Sequence, residues 1–133
     1  MAHLSENQRG FLENPFVGIL TEHRPDGTLH TTPVWVAADG RAEVSFNTAR
    51  GRLKERDIAT DARVSLLVVD PNDPYRWVSV SGTARFIEEG ADEQIDHLAQ
   101  KYLGEERYPH RAPDEERVTV AIEPERVESY GIE

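Results

Sequence analysis

The sequence contains no cysteine, so disulfide bonds and thiolate metal sites are excluded. Apolar runs are also short. The first ten residues, MAHLSENQRG, lack the apolar core of a signal peptide, and no later segment approaches the roughly 18 apolar residues of a membrane-spanning helix. These absences predict a soluble protein of the reducing cytoplasm.

Positive charge is scarce, with 15 basic against 25 acidic side chains and a net charge of −10. A general attraction to nucleic acid or to an anionic membrane is therefore not expected, and no aromatic platform for stacking bases is present. The length of 133 residues predicts one domain, spanning residues 1–133. Because so short a chain has difficulty enclosing a large ligand, we expect a second copy to complete any cofactor pocket.

The sequence lacks motifs for metal binding, nucleotide binding or catalysis by its own side chains. The five histidines are scattered without metal-binding spacing, which indicates ordinary surface histidines and predicts no metal site. No G-x-S-x-G elbow, G-x-G-x-x-G motif or Walker loop occurs, and no catalytic side chain is predicted. This pattern favours a protein whose chemistry is supplied by a bound cofactor.

Short β-branched segments between turns rich in Gly, Pro and Asp predict a β-rich domain. The capping-box sequence SENQ predicts a short helix near the N-terminus. The segments FVGILTEH, TLHTTPVWVAA and AEVSFN predict a three-stranded meander, with a turn at RPDG between the first two. The segment ARVSLLVVD is nearly continuous in apolar character, which predicts a central strand buried on both faces.

The second half of the chain continues this pattern. RWVSVSGTARFIE alternates, which predicts an inward face formed by Val78, Val80, Gly82, Ala84 and Phe86. ADEQIDHLAQKYLG has helical spacing and ends at a glycine. RVTVAIEP and RVESYG predict two closing strands. Six or more strands with one well-formed late helix are typical of a mainly β fold, a β-barrel with helices.

The stretch NTARGRLKERD places Arg50, Arg52, Lys54 and Arg56 on alternate positions. A solvated helix that pairs its bases with Glu55 and Asp57 is one interpretation. A strand end, a glycine and a helix N-terminus over about residues 51–59 favour the other interpretation, a phosphate site. Asp57 would repel a phosphate unless its carboxylate turned toward Arg56 or Arg50, so it is not assigned to the site. A phosphorylated redox cofactor would be a suitable ligand.

The order of NPFVGILTEHRPDGTLHTTPVWVAADG, VSFNTARGRLKERDIATDARVSLLVVD, RWVSVSGTARFI and RVTVAIEPERVESYG resembles the pyridoxamine 5′-phosphate oxidase-like split β-barrel superfamily. Within it, the sequence is most similar to the oxidoreductase branch that depends on the deazaflavin coenzyme F420. The resemblance implies a six-stranded, FMN-binding type of split barrel that forms a homodimer, with cofactor sites at the subunit interface.

The resemblance also implies roles for single residues. The R-x-K segment, Arg52 and Lys54, would grip the cofactor phosphate with help from Arg56, and the acidic tail of the cofactor would extend past Arg50. Trp77 would reach the site from the other chain, although core packing is an equal alternative. Asn47 and Thr48, at the strand end, would supply nearby polar contacts. The ring of the cofactor would be lined by Thr32, Pro33, Val34 and Trp35.

The implied function is hydride transfer from reduced coenzyme F420 to an unsaturated small-molecule acceptor. An FMN-dependent oxidoreductase of the same fold and a non-catalytic flavin- or deazaflavin-binding protein stay open as alternatives. The sequence predicts neither the acceptor nor the proton donor.

Overall fold

A computed structural model describes residues 2–40 and 42–132. The elements of this described part follow in chain order: α1 (Glu6–Leu12), β1 (Gly18–His23), β2 (Leu29–Val34), β3 (Val44–Ala49), α2 (Leu53–Thr60), β4 (Arg63–Asp70), β5 (Asp73–Ile87), α3 (Ala91–Leu103) and β6 (Arg117–Tyr130). The strands form one six-stranded antiparallel sheet with the order β2-β1-β4-β5-β6-β3. The mainly β architecture with helices is therefore confirmed.

The sheet curls into a half-barrel because its two edges approach each other. Strands β2 and β3 lie at opposite edges, yet Ala37, just after β2, forms a β-bridge with Ser45 in β3. Inward side chains such as Leu20, Phe46 and Val120 are fully buried and fill the interior. None of the three described helices has the length and apolar character needed to traverse a bilayer.

The expected hairpin between β1 and β2 is confirmed, but the three-stranded meander is wrong. After β2 the chain crosses to the far edge of the sheet, where β3 pairs with β6. Val44 and Phe46 of β3 are 0% exposed there, because they close the barrel from the side opposite β1. Burial of these side chains, and not proximity in sequence, decides the partner of β3.

Strand β4 is buried on one face only, so the prediction of two-sided burial is wrong. Val64, Leu66 and Val68 point into the barrel, whereas Leu67 is 39% exposed on the outer face. Ser65 and Val69, on the same outer face, are half-buried. Strand β5 follows the predicted alternation, with Val78, Val80 and Ala84 buried.

The two predicted closing strands are one 14-residue strand, β6, which pairs with β5 through a bulge. The register shifts between Ser81 and Gly82, where Gly82 faces Pro124. A Cβ atom on Gly82 would lie 2.0 Å from the carbonyl oxygen of Glu123, so this close approach requires glycine. The bulge bends β6 without ending it.

The helices begin and end close to where local signals predicted. Ser5 and Gln8 form the complete capping box of α1. Helix α3 ends at Gly104, whose φ of +74° is the left-handed conformation that glycine tolerates. Its buried residues Ile95 and Leu98 pack with Trp35, Tyr102 and Tyr108 in a second, smaller core beside the barrel.

Candidate functional site

A cavity of about 720 Å³ lies between the ends of β2 and β3, the start of α2 and one side of α3. Its size suits a drug-sized or cofactor-sized ligand. The lining combines apolar and basic side chains: Val17, His30, Pro33, Val34, Trp35, Asn47, Thr48, Arg52, Leu53, Lys54, Ile95, Leu98, Tyr108 and Arg117.

The apolar wall of the cavity is centred on Trp35. Its ring stacks on Tyr102 with centroids 5.4 Å apart and an interplanar angle of 4°, and meets the edge of Tyr108 at 5.9 Å. Tyr102 is fixed in turn, because its hydroxyl donates to the Phe16 carbonyl and accepts from the Val36 N–H. A rigid aromatic wall of this kind provides a flat surface for a planar ring system.

The basic end of the cavity is formed by Arg52, Lys54 and Arg117. Arg52 is the N-cap residue of α2 and its side chain is 53% exposed, with a long ion pair of 3.6 Å to Glu115. Lys54 lies in the first turn of α2, where burial lowers the pKa of its ammonium group. The ammonium of Lys54 has no hydrogen bond or ion pair with the residues that the structure describes, which leaves it available to an anion.

Arg117 is a cavity residue that sequence reasoning missed. It begins β6 opposite Ala49 and is only 6% exposed. Its guanidinium lies 4.8 Å from the ring centroid of Tyr108, donates to Asn47 Oδ1 at 3.3 Å and forms an ion pair with Glu115. No local motif marks Arg117, because only the pairing of β6 with β3 brings it to the cavity.

Asn47 lines the cavity, but its amide also holds α3 against the sheet. The amide NH₂ donates to the Ala91 carbonyl at 2.9 Å and to Gln94 Oε1 at 3.0 Å. Gln94 is fully buried and continues the network to Ser45 and Thr119. Asn47 therefore fixes the position of Arg117 relative to the start of α3.

The structure brings together the following seven of the eleven predicted cofactor-binding residues: Pro33, Val34, Trp35, Asn47, Thr48, Arg52 and Lys54. Thr32 lies beside them, on the inward face of β2 between His30 and Val34. Its hydroxyl is buried and has no hydrogen-bond partner in the described chain. Proximity does not test the cofactor role of any of these residues, which stays a prediction.

Besides Thr32, three predicted residues lie outside the cavity lining. Arg50 is held by Glu55 at 3.3 Å and Glu88 at 2.9 Å, and its guanidinium covers the ring of Phe86. Arg56 is exposed on α2, and Trp77 is half-buried on β5. The expected contact of Trp77 with the site of a partner chain stays a prediction.

A buried acidic cluster lies behind the basic end of the cavity. The donor atoms of Glu22, His30 and Asp57 all lie within 4.8 Å of one another, and His30 Nδ1 is 3.4 Å from Glu22 Oε1. Asp57 does not turn toward Arg56 or Arg50. It is 3% exposed, and the basic group paired with it among the described residues is Arg24, whose Nε lies 3.9 Å from Asp57 Oδ2.

His30 is likewise a half-buried cavity residue, so the interpretation of every histidine as a surface residue is wrong for it. The alternation in GILTEH could have identified the inward position of Glu22, because it places Glu22 on the same face as Gly18 and Leu20. His30 faces Glu22 only through the cross-strand pairing of β2 with β1.

Electrostatics distinguish Glu22 from the other carboxylates. Burial raises its pKa from an ordinary 4.5 to about 7, and the neighbouring carboxyl group of Asp57 adds to the rise. Lys54 and Arg24 oppose this effect. A small cation could also fit among these donor atoms, but Arg24 and Lys54 already supply positive charge beside them, which disfavours a further cation.

The family model for pyridoxamine 5′-phosphate oxidase matches residues 4–131. The chain therefore belongs to the pyridoxamine 5′-phosphate oxidase family, and the split-barrel resemblance of the sequence is confirmed. No curated protein sequence matches the chain significantly.

Solved structures similar to this chain differ in function. An F420 reductase is 27% identical with a TM-score of 0.78, covering 94% of this chain and 98% of the other. A conserved hypothetical protein from Mycobacterium tuberculosis is 26% identical with a TM-score of 0.73, covering 96% and 84%. HutZ, the heme storage protein of Vibrio cholerae, is 11% identical with a TM-score of 0.68, covering 98% and 97%, and shows a shared fold alone.

Proposed function

We propose that this protein binds the deazaflavin coenzyme F420 in the cavity and, as an oxidoreductase, transfers a hydride to an unsaturated small-molecule acceptor. The observation that carries the proposal is a single cavity in which a flat aromatic wall at Trp35 adjoins a basic end at Lys54. Similarity to an F420 reductase over nearly the whole of both chains supports the choice of coenzyme.

The basic end fits a phosphate group. Lys54 offers an unpaired ammonium, Arg52 offers an exposed guanidinium, and the N-terminus of α2 adds the partial positive charge of its free N–H groups. Arg117 adds a third positive charge from β6, held in place by Asn47. Together these groups bind and orient the phosphate end of the coenzyme.

The apolar wall fits a planar ring. Pro33 lies in the edge strand β2, where it lacks an N–H for the ladder, and with Val34 and Trp35 it presents an apolar surface. These residues orient the ring and exclude water from one of its faces. The buried, unpaired hydroxyl of Thr32 is suited to a polar atom at the ring edge.

The reduced coenzyme, when bound, supplies the hydride, and the acceptor completes its reduction by gaining a proton. No side chain of the cavity needs to act as a nucleophile, since the protein binds the coenzyme, orients its ring and removes water from around it. FMN carries a phosphate and a planar ring as well, so an FMN-dependent oxidoreductase is the second candidate. A binding protein without turnover is the third.

The test is equilibrium binding of coenzyme F420 and of FMN to the purified protein, with fluorescence as the signal. We expect tight binding of the deazaflavin and negligible binding of FMN. The reverse preference would overturn the proposed coenzyme. If the deazaflavin binds but no electron-poor enone or pyrrole is reduced, the result favours a binding protein over the proposed hydride transfer.

A further inference from the structure

Two carboxyl groups are buried side by side behind the basic end of the cavity. Glu22 is 0% exposed and Asp57 is 3% exposed. Both oxygens of Glu22, and Oδ2 of Asp57, have no hydrogen-bond donor among the described residues. Two ionised carboxylates in such a place repel each other and lack the hydrogen bonds that normally offset the loss of water.

One added proton relieves both problems. A protonated carboxyl becomes a donor, so it can hydrogen-bond to the neighbouring carboxylate, and the pair then carries one negative charge instead of two. The raised pKa of Glu22, about 7, has the direction that this arrangement requires. Proton exchange at this pair therefore falls within the physiological pH range.

The groups that face Glu22 come from every element packed around it. Helix α2 contributes Asp57 and Lys54, the residue just after β1 is Arg24, and β2 contributes His30. The residue paired with Glu22 on β4 is the uncharged Val64. Lys54 belongs both to this surrounding and to the cavity lining, so it connects the carboxyl pair to the cavity.

We propose that Glu22 and Asp57 form a proton-binding site coupled to the cavity, so that an anion bound by Lys54 brings a proton with it. The positive charge of Lys54 favours the ionised form of Glu22. An anion at Lys54 neutralises that charge, and the carboxyl pair then binds a proton more readily. This inference rests on the proposed assignment of Lys54 as a phosphate ligand.

The coupling has a definite sign. Far below pH 7 the pair already holds its proton, so anion binding takes up none. Near the Glu22 pKa of about 7, a fraction of one proton is taken up per anion bound. Anion affinity therefore rises as the pH falls through this range, by at most about tenfold per pH unit for a single linked proton.

The experiment is isothermal titration calorimetry of sulfate and of coenzyme F420 at neutral pH, in two buffers that differ in ionisation enthalpy. Sulfate is chosen because its own charge is constant in this range. We expect the parent protein to take up a fraction of one proton per anion. In Glu22→Gln we expect the anion to bind with uptake close to zero. Glu43→Gln, a change at a half-buried glutamate that contacts His3 and Leu4, should match the parent.

The outcomes separate this inference from the proposed function. If Lys54→Ala leaves anion binding unchanged, the proposed phosphate site is wrong. If Lys54→Ala loses the anion but the parent exchanges no proton, only the present inference is overturned. Tight binding of Zn²⁺ or Mg²⁺ by the parent and not by Glu22→Gln would also overturn it, because the pair would then be a cation site. Should Glu22→Gln not fold, Asp57→Asn should lower the pH at which uptake occurs, and an unchanged pH would contradict the inference.

Discussion

Lys54 and Arg52 are two residues apart, yet their surroundings differ. Lys54 is partly buried next to Glu22, and burial lowers the pKa of its ammonium group. Arg52 is 53% exposed at the N-cap of α2 and shares Glu115 with Arg117. A desolvated charge gains more from an anion than an exposed one does, so Lys54 should contribute more to phosphate binding.

Truncation of these two side chains tests that difference. We expect Arg52→Ala to weaken cofactor binding by about 10-fold, which corresponds to roughly 1.5 kcal/mol. We expect Lys54→Ala to weaken it by up to about 150-fold, which corresponds to roughly 3 kcal/mol. Both variants should also reduce the salt dependence of the affinity and leave thermal stability nearly unchanged. The measurement is the dissociation constant by fluorescence titration.

Arg63→Ala is the matched control, because Arg63 is exposed at the start of β4 and pairs with Asp61 alone in the described chain. Equal affinities in the parent and all three variants would show that the R-x-K segment is a solvated helix start. The functional proposal would then rest on family similarity only.

At the same scale, the sequence predicted the R-x-K segment and the TPVW segment, because each is local and distinctive. Glu22, His30 and Arg117 were missed because their positions depend on cross-strand pairing. Glu22 pairs with His30, and Arg117 pairs with Ala49. A single sequence contains no direct record of which strands are neighbours.

At the scale of elements, Lys101 joins three parts of the molecule. From α3 its ammonium donates to the Leu12 carbonyl at 2.7 Å and to the Val36 carbonyl at 2.6 Å. The first lies at the end of α1 and the second immediately follows Trp35 in the cavity wall. Burial lowers the pKa of Lys101 to about 8, so the group is still mostly protonated at neutral pH.

Replacing Lys101 by methionine should destabilise the fold by about 2–4 kcal/mol, because two partly buried carbonyls lose a charged donor. The free energy of unfolding in urea measures this effect. Arg107→Met, at an exposed position in the loop after α3, should change it by less than about 0.5 kcal/mol. Equal unfolding free energies in the two variants would contradict the joining role of Lys101.

Elements with local signals were predicted correctly: the capping box of α1, the glycine end of α3, and the β1–β2 turn, where Asp26 accepts from the N–H and the hydroxyl of Thr28. The predictions were wrong where the structure depends on contacts between residues far apart in the sequence. The partner of β3, the outward face of β4 and the continuity of β6 through the Gly82 bulge all depend on how the sheet closes.

At the scale of the whole molecule, the outer face of the half-barrel carries an apolar patch. In the strand register Ile19 lies between Pro33 and Leu67, and Val69 opposes Trp77. We call these five residues the outer patch. Ile19 is 40% exposed and Leu67 is 39% exposed, while Pro33 belongs to both the patch and the cavity lining. A partner seated on the patch would therefore also border the cavity.

We expect the partner to be a second copy of the chain, in a two-fold dimer that buries on the order of 2,000 Å² in total. In such an interface Leu67→Arg places a charge in a buried position twice, so it should produce monomers and weaken cofactor binding. Sedimentation velocity at micromolar concentration measures the assembly. Leu103→Arg, at an exposed leucine that ends α3, should leave the dimer intact.

Dimer formation and cofactor affinity depend on each other if the cavity is completed at the interface. A parent protein that sediments as a monomer and still binds cofactor tightly would contradict the dimer prediction, because one chain would then enclose the ligand alone. Loss of the dimer in Leu67→Arg with unchanged cofactor affinity would mean that the outer patch serves assembly only. Loss of both would show that the cofactor site needs the second chain.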